Sequence, residues 1–184
     1  MANIQKFLDS FVRTEAARSS NFEVFIKPPN SLLVPYAGYG STLRFRCEVA
    51  ELPARTFSTV DQKTYGPVQT FPVQNFFDKI NLVFICSDTM AEKKFFDSWM
   101  DYISVATRRD TNSPSRLLFD FEYRTSYETQ ITINQYDLQG KISHSVKLLE
   151  CYPIAVNTLS LSWDAVDTIQ KLPVTICYRY FEST

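Results

Sequence analysis

The sequence predicts a mainly β protein: an antiparallel sandwich or barrel of about eight strands, flanked by one principal α-helix, with a short helix at the N-terminus. Three observations predict it. Runs that alternate apolar and polar residues recur between turn-forming residues along most of the chain. One segment, 89–106, carries the best-marked helical periodicity. The closing segment, 151–181, reads as two strands joined by an acidic turn. Its second run, Leu172 to Phe181, places Val174, Ile176, Tyr178 and Tyr180 on one face and Cys177 and Phe181 on the other. Such a strand is expected to need cover on both sides, one from its own core and the other from a partner, the alternative being that the whole strand is core.

The chain has 184 residues, 45% hydrophobic, 21% charged and 15% aromatic, with 4 Gly and 9 Pro. That suits one domain, 1–184, able to bury a core, and argues against disorder. Nineteen basic residues against 20 acidic ones leave a net charge of −1, a poor basis for holding nucleic acid, which needs a basic face. No segment approaches the ~20 apolar residues that cross a bilayer, so no membrane insertion is expected. The N-terminus does not read as a signal peptide, because Lys6, Asp9 and Arg13 interrupt its apolar residues. Cys47, Cys86, Cys151 and Cys177 lie far apart with one histidine, His144. No zinc set can be made from them, and free thiols in a protein made in the cytosol are expected over disulfides.

Taken in order, residues 2–16 have the i, i+3, i+4, i+7 spacing of a short amphipathic helix, part of an N-terminal arm over 1–20. Phe22–Lys27 is a first strand, stopped by Pro28-Pro29, and a loop follows over 28–41. Leu43–Ala50 alternates Leu43, Phe45, Cys47 and Val49 against Arg44, Arg46 and Glu48, which predicts a second strand. Residues 55–75, rich in Thr and Gln and broken at Tyr65-Gly66-Pro67, predict a hairpin extending beyond the core. Lys79–Cys86 is a nearly continuous apolar strand.

Thr89 and Glu92 have the spacing of a capping box opening the main helix, 89–106. Phe96, Trp99, Met100 and Ile103 form its buried stripe. A polar connection carries Arg108-Arg109, a solvated pair, and a short strand is expected at 119–126. Residues 127–136 and 141–151 form a hairpin across Asp137–Gly140. Ile131 and Ile133 face one way, as do Ile142, His144, Val146 and Leu148 on the second arm. His144 is read as structural. The closing pair spans 155–163 and 169–181, with no internal repeat.

Several blocks resemble the tail tube proteins of contractile-tailed, T4-like bacteriophages. They are Asn21-Phe22, Phe45-Arg46-Cys47 and Leu52-Pro53-Ala54 near the start; Phe77-Asp78, the strand 80–85, Asp88 and Lys94–Trp99 in the centre; and Tyr152-Pro153, Val156, Leu159, Leu161, Trp163-Asp164, Asp167, Ile169, Leu172, Val174 and Tyr178–Phe181 at the end. Segments 28–41 and 107–126 have no clear counterpart. The resemblance implies a structural virion protein that assembles with itself into six-membered rings. These stack into an inner tail tube within a contractile sheath, a conduit for genome delivery. It implies partners: the sheath protein, baseplate or tube-initiator and terminator proteins, and the tape-measure protein and transiting DNA in the lumen. No cofactor is implied. Related tubes serve DNA-free, pyocin-like injection systems, and a longer cousin starts the tube at the baseplate.

Elementary physics points the same way. The stretch 55–75 would leave backbone groups unpaired with little charge to protect them, which nominates Thr56, Ser58, Thr59, Thr64, Gln69 and Thr70 for contact between subunits. A conduit for DNA should be polar or negative, since a basic lumen would bind phosphates. Gln130, Thr132, Asn134, Ser143 and Ser145 are the candidates for that wall, with Lys141 and Lys147 beside them. Two rival classes remain. An enzyme finds no constellation, Asp120 and Glu122 being the nearest carboxylate pair and reading as solvated. A small-ligand-binding β-barrel would accommodate the aromatic content but predicts a monomer.

Overall fold

In the computed structural model, residue 4 and residues 17–32, 36, 38–104, 121–164 and 167–183 are described. The expected N-terminal helix at 2–16 lies outside them almost entirely, and the Arg108-Arg109 pair and Asp120 lie outside them altogether. Among the described residues are nine strands, in chain order β1 (Phe22–Ile26), β2 (Cys47–Ala50), β3 (Arg55–Gln62), β4 (Gln69–Phe77), β5 (Ile80–Ile85), β6 (Thr129–Tyr136), β7 (Ile142–Val156), β8 (Lys171–Cys177) and β9 (Tyr180–Ser183). The α-helices are α1 (Tyr39–Arg46), α2 (Ala91–Ile103) and α3 (Arg124–Tyr127). Mainly β and antiparallel, with α2 the principal helix, this is the fold class the sequence predicts.

Seven strands form one sheet in the order β1-β6-β7-β8-β5-β2, with β9 added to β7; β3 and β4 pair only with each other. The fifteen-residue β7 folds the sheet into two layers. Its first part pairs with β6 and, over Val146–Leu149, with β9. Its last part, from Tyr152, pairs with β8. Between them Glu150 sits at φ 55, a bulge where the register to β6 shifts. Arg124 (2.9 Å) and Arg179 (3.0 Å) clamp the Glu150 carboxylate in that left-handed turn.

The core lies between the layers. Val24, Ile26, Ile131, Ile133, Val146 and Leu148 come from one layer, and Ile80, Leu82, Phe84, Leu172, Val174 and Ile176 from the other. The alternation that predicts these strands is the alternation that buries them. α2 covers the core with Phe95, Phe96 and Trp99, all fully buried. Phe96 packs on Phe84 with centroids 5.1 Å apart, and Trp99 Nε1 donates to the Tyr127 carbonyl at 3.0 Å. Met100 and Ile103, expected in the same stripe, are only half-buried, and Phe95 takes the central place. Tyr36 joins its edge to the Phe95 ring and bonds the Ser98 hydroxyl at 2.8 Å, tying the 28–41 segment to the helix.

Several local expectations are corrected. Leu43–Ala50 is not one strand: α1 occupies Tyr39–Arg46 and only Cys47–Ala50 is extended. Helical spacing buries Gly40 and Leu43 together and sends Arg44 to Glu23 and Arg46 to Glu92, leaving Phe45 75% exposed. Gly40 abuts β1 so closely that a Cβ there would lie 3.0 Å from the Ile26 carbonyl oxygen. The capping box does not form between Thr89 and Glu92. Met90 at φ 54 precedes α2; Glu92 instead accepts from the Ser87 N–H and hydroxyl, and the Ser87 hydroxyl oxygen accepts from the Ala91 N–H. The helix also ends at Ile103, with Ser104 extended and bridged to Phe121.

At 119–126 no strand forms among the described residues; Phe121 makes a single bridge and Arg124 begins α3. The closing pair is also redrawn. β7 ends at Val156 because its ladder to β8 ends there, with Asn157 N to the Pro173 carbonyl the last bond. Leu161 and Trp163 therefore stand out in a connection, 84% and 102% exposed. The run 169–181 splits at Tyr178-Arg179 into β8 and β9, so Tyr180 leaves the buried row. Ile142 likewise leaves the inner face, because the register to β6 shifts between Gln135 and Tyr136.

Candidate assembly surface

The hairpin expected at 55–75 is present as β3 and β4, beginning at Arg55 as expected and ending two residues later, at Phe77. β2 leads into β3 through Glu51–Ala54, and β4 leads back into β5 through Asp78-Lys79, so the hairpin continues the edge of the sheet outward. At its root Arg55 lies over the rings of Phe77 (5.7 Å) and Phe181 (5.2 Å), with Phe77 edge-on to Phe181. Beyond that root nearly every residue is exposed.

The exposed residues are not mainly polar. Phe57, Val60, Val68, Phe71, Val73 and Phe76 are between 46% and 66% exposed. Register sets Val60 opposite Phe71, and Tyr65 stands clear at the tip. Of the residues nominated from sequence, Thr56, Thr59, Gln69 and Thr70 are exposed on the two strands, Ser58 is half-buried, and Thr64 lies in the tip bend. Thr70 Oγ1 donates to Asp61 Oδ1 at 2.8 Å across the pair. The Thr and Gln content of the stretch does not announce this apolar set, whose spacing is broken by Pro72 and the register shift at Ser58/Thr59.

The second candidate group comes together on the outer face of the other layer. Thr132 pairs with Lys147 and Asn134 with Ser145, whose Oγ donates to Asn134 Oδ1 at 2.7 Å. Gln130 Nε2 reaches Thr132 Oγ1 at 3.4 Å. Ser143 sits in the register shift and donates to the Gln135 carbonyl. Glu23, opposite Asn134, and Glu182, opposite Lys147, extend this face. Glu23 accepts from Arg44 and Tyr136, and the Arg44 bond above all holds its carboxyl below the ordinary value. The face is thus mostly polar with both signs of charge, and it also carries Phe25, opposite Thr132 and 45% exposed. His144 pairs with Gln135 on the opposite side of the strand.

The titratable groups found inside are structural. Burial pushes the Cys47 and Cys151 thiols up to about 12, and all four cysteines are free. No group of three or more metal-ligating side chains forms among the described residues. No described helix is long and apolar enough to cross a membrane.

The family model for phage tail tube proteins matches residues 17–184. The chain belongs to that family. No curated protein matches its sequence. In fold, this tail tube protein is similar to a chain of the sheath–tube complex of an extracellular contractile injection system, PVC, in its extended state, with TM-score 0.63, 12% identity and 96% of each chain covered. It is similar also to a chain of the anti-feeding prophage baseplate, with TM-score 0.63, 11% identity, and 93% of this chain and 97% of that one covered. A third likeness is to a chain of the PVC sheath/tube terminator, at TM-score 0.60 and 13% identity, covering 92% and 96%. At such identities the likeness is one of fold. Membership makes the chain a structural component of a tail tube, in a virion or phage-like particle, and the family is not a family of enzymes.

Proposed function

We propose that this tail tube protein closes into rings of six copies, that the rings stack into the inner tube of a contractile tail, and that the tube conducts the genome. The exposed β3–β4 hairpin carries the reading. A two-stranded ribbon is marginal in water on its own, and this one holds six large apolar side chains in solvent. A second copy would cover them and pair the free strand edges. Sheath, initiator, terminator and tape-measure proteins are the proposed partners, supported by the fold shared with chains of sheath–tube, terminator and baseplate assemblies.

The face holding Gln130, Thr132, Asn134, Ser143 and Ser145 is the proposed lumen wall. Its mixed charge and net chain charge of −1 suit passage of DNA without retention. A second reading, the tube of a DNA-free injection device, is favoured by the fold shared with PVC and the anti-feeding prophage. Light scattering and negative-stain microscopy across a concentration series test assembly: rings or tubes are expected, and a monomer at every concentration, even with a baseplate seed, refutes it. Nucleic acid extracted from purified particles separates the two cargoes.

A further inference from the structure

Resting on that reading and specifying its interface, we infer that β3, not β4, is the strand through which one copy joins another, and that it pairs with the free edge at β9. The two hairpin edges are chemically unequal. β4 carries Pro72, which has no N–H, and an extra residue where the register shifts against Ser58 and Thr59. Proline and bulges are the devices that block strand addition. β3 runs eight residues, Arg55–Gln62, without either.

The acceptor follows from what each sheet edge offers: β2, the end strand beside β5, is only four residues long and its register shifts between Cys47 and Val49, which blunts it. α1 lies against β1, with Gly40 at the Ile26 carbonyl and Arg44 paired to Glu23, so that edge is covered. Among the described residues, β9 pairs only with β7, over Val146–Leu149, and Ile142–Ser145 pair on one side alone, with β6. β9 and this uncovered start of β7 make a stepped open edge, with Tyr180, Glu182 and Ser183 exposed along it. Backbone pairing there gives a partner of one chemistry, an extended strand, and a second copy supplies one.

Disulfide reach makes the assignment testable. Adjacent strands lie about 4.8 Å apart and next-but-one strands about twice that, whereas a disulfide needs Cα atoms within roughly 7 Å. Single-cysteine substitutions along β3 (T56C, S58C, V60C, Q62C) and along β4 (Q69C, F71C, V73C, Q74C) are each mixed with E182C protein under assembling conditions and oxidised. Wild-type protein sets the background from native thiols. At least one β3 position is expected to give a mixed dimer with E182C, identified by peptide mass, and the β4 positions none. Cross-links from β4 but not β3 overturn the donor; assembled rings with no β3–E182C cross-link overturn the acceptor. If light scattering shows no assembly at all, the ring reading itself has failed.

Discussion

Glu92 offers the sharpest quantitative test of how the principal helix is anchored. Its side chain is fully buried, yet it accepts from the Ser87 backbone N–H and hydroxyl, each at 2.8 Å, and lies 3.2 Å from Arg46 Nε. Burial alone would raise its pKa, but the hydrogen bonds that its carboxylate accepts, those from Ser87 foremost, together outweigh burial and hold it below the ordinary value. Hydrogen bonds to a charged group contribute about 1.5–3 kcal/mol each. Arg46 is 37% exposed and keeps much of its hydration, so its attraction adds at most about 1 kcal/mol. Removing the carboxylate frees Arg46 to water but strands the Ser87 N–H. Glu92→Ala should therefore cost about 3 kcal/mol, and Glu92→Gln, which keeps an acceptor, about 1–2 kcal/mol. Urea unfolding of dilute monomer measures both. Because the folded pKa is depressed, this stabilisation is complete above 4.5 and is lost as pH falls through the lower folded value. Wild-type stability should thus fall in acid more steeply than that of Glu92→Gln. An alanine variant within about 0.5 kcal/mol of wild type, or identical acid slopes, refutes the reasoning.

Phe71→Asp or Val60→Asp should abolish assembly in light scattering while shifting monomer stability by no more than about 0.5 kcal/mol, since neither side chain belongs to the core. Gly40→Ala should lower Tm despite alanine's helix advantage of about 1 kcal/mol, because the new Cβ meets backbone at 3.0 Å. Trp99 is 0% and Trp163 102% exposed, so Trp163→Phe should leave a blue-shifted emission that iodide does not quench, and Trp99→Phe a red-shifted, quenchable one. With burial pushing Cys151 up to about 12, its thiol should react with a disulfide reagent only after unfolding.

Elements with one buried face were legible in the sequence where period two reports a half-buried strand, and β5 was legible as a nearly continuous apolar run. β1, β5, β6 and the first part of β7 appear within a few residues of their expected bounds. Leu43–Ala50 misled because Leu43, Phe45, Cys47 and Val49 alternate as strand residues do, while the contacts that make 39–46 helical are distant: Glu23, Glu92 and the Ile26 carbonyl. No local pattern announces those partners. The Thr89–Glu92 box failed for a related reason, since Ser87 stands two residues earlier and takes both the Glu92 carboxylate and the Ala91 N–H. At the candidate surface, the hairpin's existence was legible from composition and its break at Tyr65–Pro67. Its apolar character needed the register, which brings Phe71 opposite Val60 although the two are far apart in sequence.

β8 shows how folding and assembly are divided within this chain. Its inner row, Leu172, Val174 and Ile176, is fully buried in the subunit's own core, and Pro173, Thr175 and Cys177 on the other face are already half-buried. Thr175 Oγ1 donates to Asn81 Oδ1 at 2.9 Å, and Lys171 bridges to Glu48, so polar neighbours satisfy that outer face. The external cover that the closing segment predicts is therefore not what β8 most lacks. The unmet need lies at the two places where chain leaves the sandwich: the β3–β4 ribbon, and the β7–β8 connection with Leu161 and Trp163 in solvent. Apart from Phe77 and Leu159, which pack against its margin, neither contributes to the buried core. On the proposed ring reading, substitutions at the exposed positions of these two sites should alter assembly with little change to the fold.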